Sequence, residues 1–206
     1  MPRKIAEPLK WELEEELFAK GYKIVCGTDE AGRGPLVGPV VAGACILPRG
    51  IEIQGLNDSK KLSEKKREEL YSIICENAVA WATGLATPAE IDEINILNAS
   101  MLAMRRAISA LGVKPDAALV DGNCTRSFEL PAFAVVKGDS RSPSIAAASI
   151  LAKVTRDRMC AELDKVYPEY NIAKHKGYPT AEHMELVRKY GPCPEHRRTF
   201  LKFLNQ

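Results

Sequence analysis

Apolar positions recur along the chain in alternating β-like and helical stretches. Residues 8–20 set Trp11, Leu13, Leu17 and Phe18 among four glutamates, the pattern of a short amphipathic helix covering a core. Two apolar, β-branched runs, 23–28 and 36–47, flank a turn-rich stretch containing Gly32, Gly34 and Pro35, and read as neighbouring strands. A polar loop, 54–61, leads to Ser63, a fitting N-cap for a helix over 64–77, and a third strand follows at 79–86. Pro88 opens a long helical pattern in which Ile91, Ile94, Leu97, Met101, Met104 and Ile108 recur at three- and four-residue steps until Gly112. Runs 117–120 and 132–136 supply the fourth and fifth strands. Ser142 and Pro143 then form an N-cap and first-turn pair for an Ala-rich helix over 144–166, whose small residues allow close approach to a sheet. Pro168 ends it, and 180–190 and 196–204 read as two shorter helices.

This order predicts an α/β fold with a mixed five-stranded sheet flanked by helices. The first three strands form an antiparallel group, crossovers join the rest, and a small helical region closes the C-terminus. A fully parallel Rossmann sheet fits less well.

Composition narrows the class. The chain has 206 residues, 46% hydrophobic and 27% charged, which suits one well-filled core. No apolar run approaches the roughly 20 residues of a membrane span, and the N-terminus has no signal-peptide core, so a cytoplasmic protein is expected. The six cysteines show no C-x-x-C pair and read as reduced thiols, mostly small core residues. His175, His183 and His196 lack metal-ligand spacing and read as surface residues.

Chemistry concentrates in Gly27-Thr-Asp-Glu-Ala-Gly-Arg-Gly-Pro35, where two acids end an apolar strand and run into a glycine turn. An unpaired buried carboxylate costs several kcal/mol, so Asp29 and Glu30 need a cation, donors or a solvent-facing edge; a turn with solvated acids is the alternative. Asp121 follows Ala-Ala-Leu-Val120, and Asp139 follows Val135-Val-Lys-Gly138, in the same setting. Three strands therefore deliver carboxylates at their downstream ends. If the strands are neighbours, the four acids form a hard oxygen cluster of the kind that binds Mg²⁺ or Mn²⁺. Adjacent strand residues point to opposite faces, so Asp29 and Glu30 share a site only if the strand ends or bulges at Glu30. The glycines are spaced wrongly for a dinucleotide fingerprint and precede a strand, leaving close backbone approach to a substrate, with Arg33 as a charged donor, as their functional reading.

Over roughly residues 23–198 the chain resembles ribonuclease HII. The resemblance rests on Gly27-Thr-Asp-Glu-Ala-Gly-Arg-Gly34, Leu56-Asn-Asp-Ser-Lys-Lys-Leu62, Val120-Asp-Gly122, Lys137-Gly-Asp139, Ser149-Ile-Leu-Ala-Lys-Val-Thr-Arg-Asp157 and His175-Lys-Gly-Tyr178, in that order. It implies an RNase H-like sheet with Asp29, Glu30, Asp121 and Asp139 as catalytic, metal-binding acids. The implied activity is cleavage of the RNA strand of RNA–DNA hybrids and incision 5′ of a ribonucleotide embedded in duplex DNA. Gly32, Arg33 and Gly34 match the loop that senses the ribose 2′-hydroxyl, by which RNA is told from DNA. Tyr178 matches the tyrosine packed against the junction sugar, and Lys60, Lys61 and Lys153 match phosphate contacts. The implied organisation is an N-terminal helical extension, 1–22, a catalytic domain, 23–168, and a C-terminal helical substrate-binding region, 169–206. The first 22 residues are too few for the extra domain of ribonuclease HIII, and no clamp-binding tail is recognisable. A monomer without an identifiable protein partner is expected.

Two other readings stay open from the residues alone: an exonuclease with a similar acidic metal site, and a non-catalytic nucleic-acid-binding module whose acids hold a structural ion. The formal net charge of +2 argues mildly against a polyanionic partner. That sum hides a polarised distribution, with a net of +3 over 137–158 and +4 over 171–206. A basic C-terminal half beside an acidic centre fits binding that weakens with salt.

Overall fold

The computed structural model describes residues 8–205. The first seven residues of the expected N-terminal extension, and Gln206, lie outside them. The elements run α1 (Glu12–Ala19), β1 (Val25–Ala31), β2 (Val40–Ile46), α2 (Glu64–Asn77), β3 (Ala80–Ala86), α3 (Pro88–Ser109), β4 (Ala117–Asp121), β5 (Ala132–Val135), α4 (Pro143–Val166), α5 (Ile172–His175) and α6 (Ala181–Tyr190), with short 3-10 turns at Ser59–Lys61, Gly138–Ser140, Pro168–Tyr170, Arg198–Phe200 and Lys202–Asn205. The sheet order is β3-β2-β1-β4-β5. β1, β2 and β3 pair antiparallel, whereas β4 is parallel to both β1 and β5. The mixed sheet expected from the pattern is therefore present.

Missing side chains allow the helices to approach so closely. A β-carbon on Gly27 would stand 2.1 Å from the Ser144 carbonyl carbon, and one on Gly43 2.3 Å from the Ala148 carbonyl oxygen. The Ala-rich α4 therefore lies directly on β1 and β2. On the other face Gly84 admits α3, where a β-carbon would stand 2.4 Å from the Ala107 nitrogen. Cys26, Ala42, Ala118 and Val120 pack toward α3, while Cys45 packs with α4.

Local signals fix most helix starts. Ser63, Ser142 and Thr180 each accept a hydrogen bond from the third residue of the helix they precede, and Thr87 forms a full capping box with Glu90. Glu14 of α1 is fully buried and accepts hydrogen bonds from the Ser142 hydroxyl and the Ser144 N–H, so the N-terminal helix caps α4 as well as covering the core.

Three expectations need correction. The long helix from Pro88 is broken at Asn95, whose φ of 66° is non-helical and whose side chain caps the next turn through the N–H groups of Leu97 and Asn98. The helix expected over 196–204 is absent, because His196 forms a bridge with Val37 and only 3-10 turns follow. His183 and His196 are buried rather than on the surface.

Candidate active site

β1 continues through both acids to Ala31 in unbroken register with β2, so it neither ends nor bulges at Glu30, the condition expected for a shared site. Register explains how the acids still meet. Asp29 lies opposite Gly43 on the face covered by α4, and Asp121 shares that face, because Leu119, two residues earlier, pairs with Gly27. Glu30 lies opposite Ala42 on the α3 face, at the downstream end of the sheet where β4 stops. Its charge acts on Asp29 there, and that of Asp121 acts on it. Asp139 sits in the 3-10 turn after β5, and the Gly138 N–H donates to Asp121 Oδ1 at 2.6 Å, tying the turn to the end of β4.

The electrostatics show crowding. Burial, then the charges of Glu30 and Asp121, hold Asp29 well above the usual carboxylate range, against the opposing pull of a Ser149 hydrogen bond. Burial raises Glu30, opposed by Arg33 and reinforced by Asp121. Burial, then Asp58 and Asp121, raises Asp139. Lys60 loses hydration there, but Asp29, Asp139, Asp58 and Asp121 outweigh that loss and strengthen its hold on a proton. Asp58, Ser59 and Ser149 lie within the sequence motifs, but the pattern alone assigns them no site role. The Ser149 hydroxyl favours the charged form of Asp29 and donates to the Ser59 hydroxyl at 2.8 Å, which fastens the 58–61 turn to α4 beside the site.

These carboxylates fit a hard divalent cation. They are all-oxygen donors, and their mutual repulsion is the charge such an ion would neutralise. Among the described residues no three acidic, His or Cys side chains converge closely enough to hold an ion by themselves. An open arrangement suits Mg²⁺ or Mn²⁺, which complete their coordination with water and substrate phosphate.

A second group of residues forms the rim. Gly32 has φ +97°, and a β-carbon there would collide with Arg156 Nε at 2.0 Å; at Gly34 it would lie 3.4 Å from Tyr178 Cε1. Arg33 is exposed, with its guanidinium 3.3 Å from Glu30 Oε1. Tyr178 is also exposed. The structure thus brings the glycine loop and Tyr178 together beside the acids. Lys61 is exposed and 3.8 Å from Asp58, whereas Lys153 is engaged by Asp157 at 2.6 Å, with Arg67 on the other carboxylate oxygen.

Behind the rim, His183 and His196 form a hydrogen-bonded chain of fixed polarity. A carbonyl only accepts, so His183 Nδ1 donates to that of Tyr178, 3.0 Å away, and its Nε2 accepts from His196 Nε2–H at 3.2 Å. His196 Nδ1 in turn accepts from the Cys193 N–H. His175 stacks on His183 with ring centroids 4.2 Å apart. Their partners lie in the fold, so ligand spacing offered no signal for them. The Cys193 thiol lies 3.1 Å from His196 Nδ1, and all six cysteines are free.

Known proteins resemble this chain over most of its length. The chain is 52% identical over 192 residues to ribonuclease HII of Caldicellulosiruptor saccharolyticus, covering 93% of this chain and 94% of that protein. It is 55% identical over 191 residues to ribonuclease HII of Vibrio campbellii, covering 93% and 90%. Among solved structures, ribonuclease H2 from Pyrococcus horikoshii OT3 superposes with a TM-score of 0.71 at 31% identity, covering 88% of this chain and 97% of that one. RNase HII in its PCNA complex from Archaeoglobus fulgidus gives 0.72 at 27% identity, with the same coverage. A ribonuclease HIII bound to Mn²⁺ shares the fold, with a TM-score of 0.63 at 19% identity. The family model for Ribonuclease HII matches residues 26–204. With acids at three strand ends and relatives matched over nearly their whole length, the chain belongs to the ribonuclease HII family.

Proposed function

We propose that Asp29, Glu30, Asp121 and Asp139 form the catalytic centre of an endoribonuclease that cuts the RNA strand of RNA–DNA hybrids and incises 5′ of single ribonucleotides in duplex DNA. The observation that carries this reading is the meeting of Asp29 and Asp121 on one face at the sheet's downstream end, with Gly34 and Tyr178 on the adjoining rim.

Mg²⁺ or Mn²⁺ at this site would supply Lewis-acid polarisation of the phosphate and an activated water. Asp29 and Asp121 hold the centre of the ligand set, and Glu30 closes it from the opposite face. Asp139 completes the set or exchanges the proton of the attacking water. Lys60 balances the carboxylates' charge and, with Lys61, meets backbone phosphates. The outward-facing N–H groups of the glycine loop meet the ribose 2′-hydroxyl, the group that distinguishes the substrate, while the Tyr178 ring packs on the sugar. The basic stretch over 169–206 holds the flanking duplex. Products carry a 5′-phosphate and a 3′-hydroxyl.

A 5′-labelled duplex containing one ribonucleotide tests this reading with Mg²⁺ or Mn²⁺ present. A single internal cut on the 5′ side of the ribonucleotide is expected. A ladder from one end, or binding without turnover, overturns the assignment.

A further inference from the structure

Arg197 is fully buried, in a segment far along the chain from the acids. Its guanidinium forms no ion pair among those found in the described residues. It spends its donors on backbone carbonyls instead: Nη2 to Gly32 at 2.7 Å, Nη1 to Arg33 at 3.1 Å and Nε to Gly38 at 2.9 Å. Burial, then the neighbouring Arg156, pushes its pKa down to about 9, a measure of how unfavourable the position is for a cation. Arg156, also buried, holds the carbonyls of Pro39, Val37 and Lys176. Two buried cations with no carboxylate partner among the described residues, both gripping the chain that follows β1, are more than core filling requires.

The consequence follows from peptide geometry. Every described peptide bond is trans, so each N–H points opposite the carbonyl of its own peptide unit. The Gly32 carbonyl shares a unit with the Arg33 N–H, and the Arg33 carbonyl with the Gly34 N–H. By drawing both carbonyls inward, Arg197 turns both N–H groups outward. Arg33 and Gly34 are exposed, their N–H groups meet no protein acceptor among the described residues, and Gly34 abuts the Tyr178 ring. The segment carrying Arg197 is itself anchored: Asp92 accepts from the N–H groups of Arg198 and Thr199 and from the Thr199 hydroxyl, and the Arg197 N–H donates to Leu36.

We propose that Arg197 is a positioning residue for ribonucleotide recognition: it holds the Arg33 and Gly34 N–H groups toward the substrate sugar and thereby sets discrimination between ribose and deoxyribose. This inference rests on the proposed reading of the glycine loop as the sugar-sensing element.

The test compares wild type, Arg197→Lys and Asp92→Ala at a temperature well below each thermal midpoint. Arg197→Lys keeps the charge but loses the three-point fork. Asp92→Ala leaves Arg197 in place and frees its anchor, so it carries the same test if Arg197→Lys does not fold. Equilibrium binding is measured in Ca²⁺ for a duplex with one ribonucleotide and for the all-DNA duplex of the same sequence. Arg197→Lys should reduce the ratio of the two affinities by about tenfold, equivalent to one well-placed hydrogen bond to a charged group, and Asp92→Ala should reduce it in the same direction. A merely structural role would lower the thermal midpoint and leave the ratio unchanged. A folded Arg197→Lys, or failing that a folded Asp92→Ala, with a ratio within about twofold of wild type overturns the proposal. A wild type that neither prefers nor cuts the ribonucleotide duplex overturns the reading of the loop itself.

Discussion

The Tyr178 ring lies against the backbone of Gly34: a β-carbon at 34 would stand 3.4 Å from Cε1 and 3.8 Å from Cδ1. Two motifs distant in sequence thus form one edge of the site. Gly34 has no positive φ and its added methyl would meet ordinary contact, so Gly34→Ala should fold with an almost unchanged thermal midpoint while KM on a ribonucleotide-containing duplex rises several-fold. Gly32→Ala must both strain a φ of +97° and displace Arg156. It should lose about 2–4 kcal/mol of stability and most of its activity. Thermal melts alongside kinetics separate the two; equal melting of both variants would refute the distinction.

Removing one charge from the crowded acids should uncouple stability from catalysis. Asp29 is buried beside two other carboxylates, so without divalent metal Asp29→Asn should melt at or above the wild-type temperature. Cleavage should fall at least about a thousandfold, roughly 4 kcal/mol of barrier, with hybrid binding still measurable. Mg²⁺ should raise the melting temperature of wild type more than that of the variant, since a ligand stabilises the state it binds. Wild-type cleavage by the variant would remove Asp29 from the mechanism.

Acidification should loosen the histidine chain. Burial, then the charge of His183, lowers His196 to about 4, below the 6.5 of an unperturbed imidazole. A depressed folded-state pKa means the unfolded chain binds the proton more readily. The stabilising contribution is therefore complete above about pH 6.5 and is lost as pH falls toward 4, on the order of 1–3 kcal/mol in all. Urea midpoints from pH 7.5 to 4.5 should fall more steeply for wild type than for His196→Gln. Parallel curves would show that His196 does not drive the loss.

The lysines should divide by partner. Lys153→Ala leaves the buried Asp157 with only Arg67, 3.6 Å away, and should lower stability by about 1–2 kcal/mol. The salt dependence of nucleic-acid binding should hardly change. Lys61 is exposed, so Lys61→Ala should weaken binding across sequences and reduce the slope of log K against log salt by about 1. Binding titrations at several salt concentrations decide between these roles.

Much of this was legible in the sequence because it is local. Strand runs, the Ser63, Ser142 and Thr180 caps, and acids placed just after apolar stretches all depend on residues within a few positions of each other. The sequence by itself therefore determined most of the elements, the mixed character of the sheet and the four candidate acids. It could not show that Asp29 and Asp121 share the α4 face while Glu30 lies on the other, since strand register depends on which strands pair. Nor could it show that Asn95 breaks α3, that Glu14 caps α4, or that Arg197 and two histidines are buried behind the rim. Those side chains look like surface residues until their partners are known. Glu14 meets Ser144, and Arg197 meets Gly32, only after the chain has folded back across most of its length. Only the tertiary structure decides such pairings, because a buried polar group is stable where distant backbone donors and acceptors converge, and no local pattern encodes that convergence.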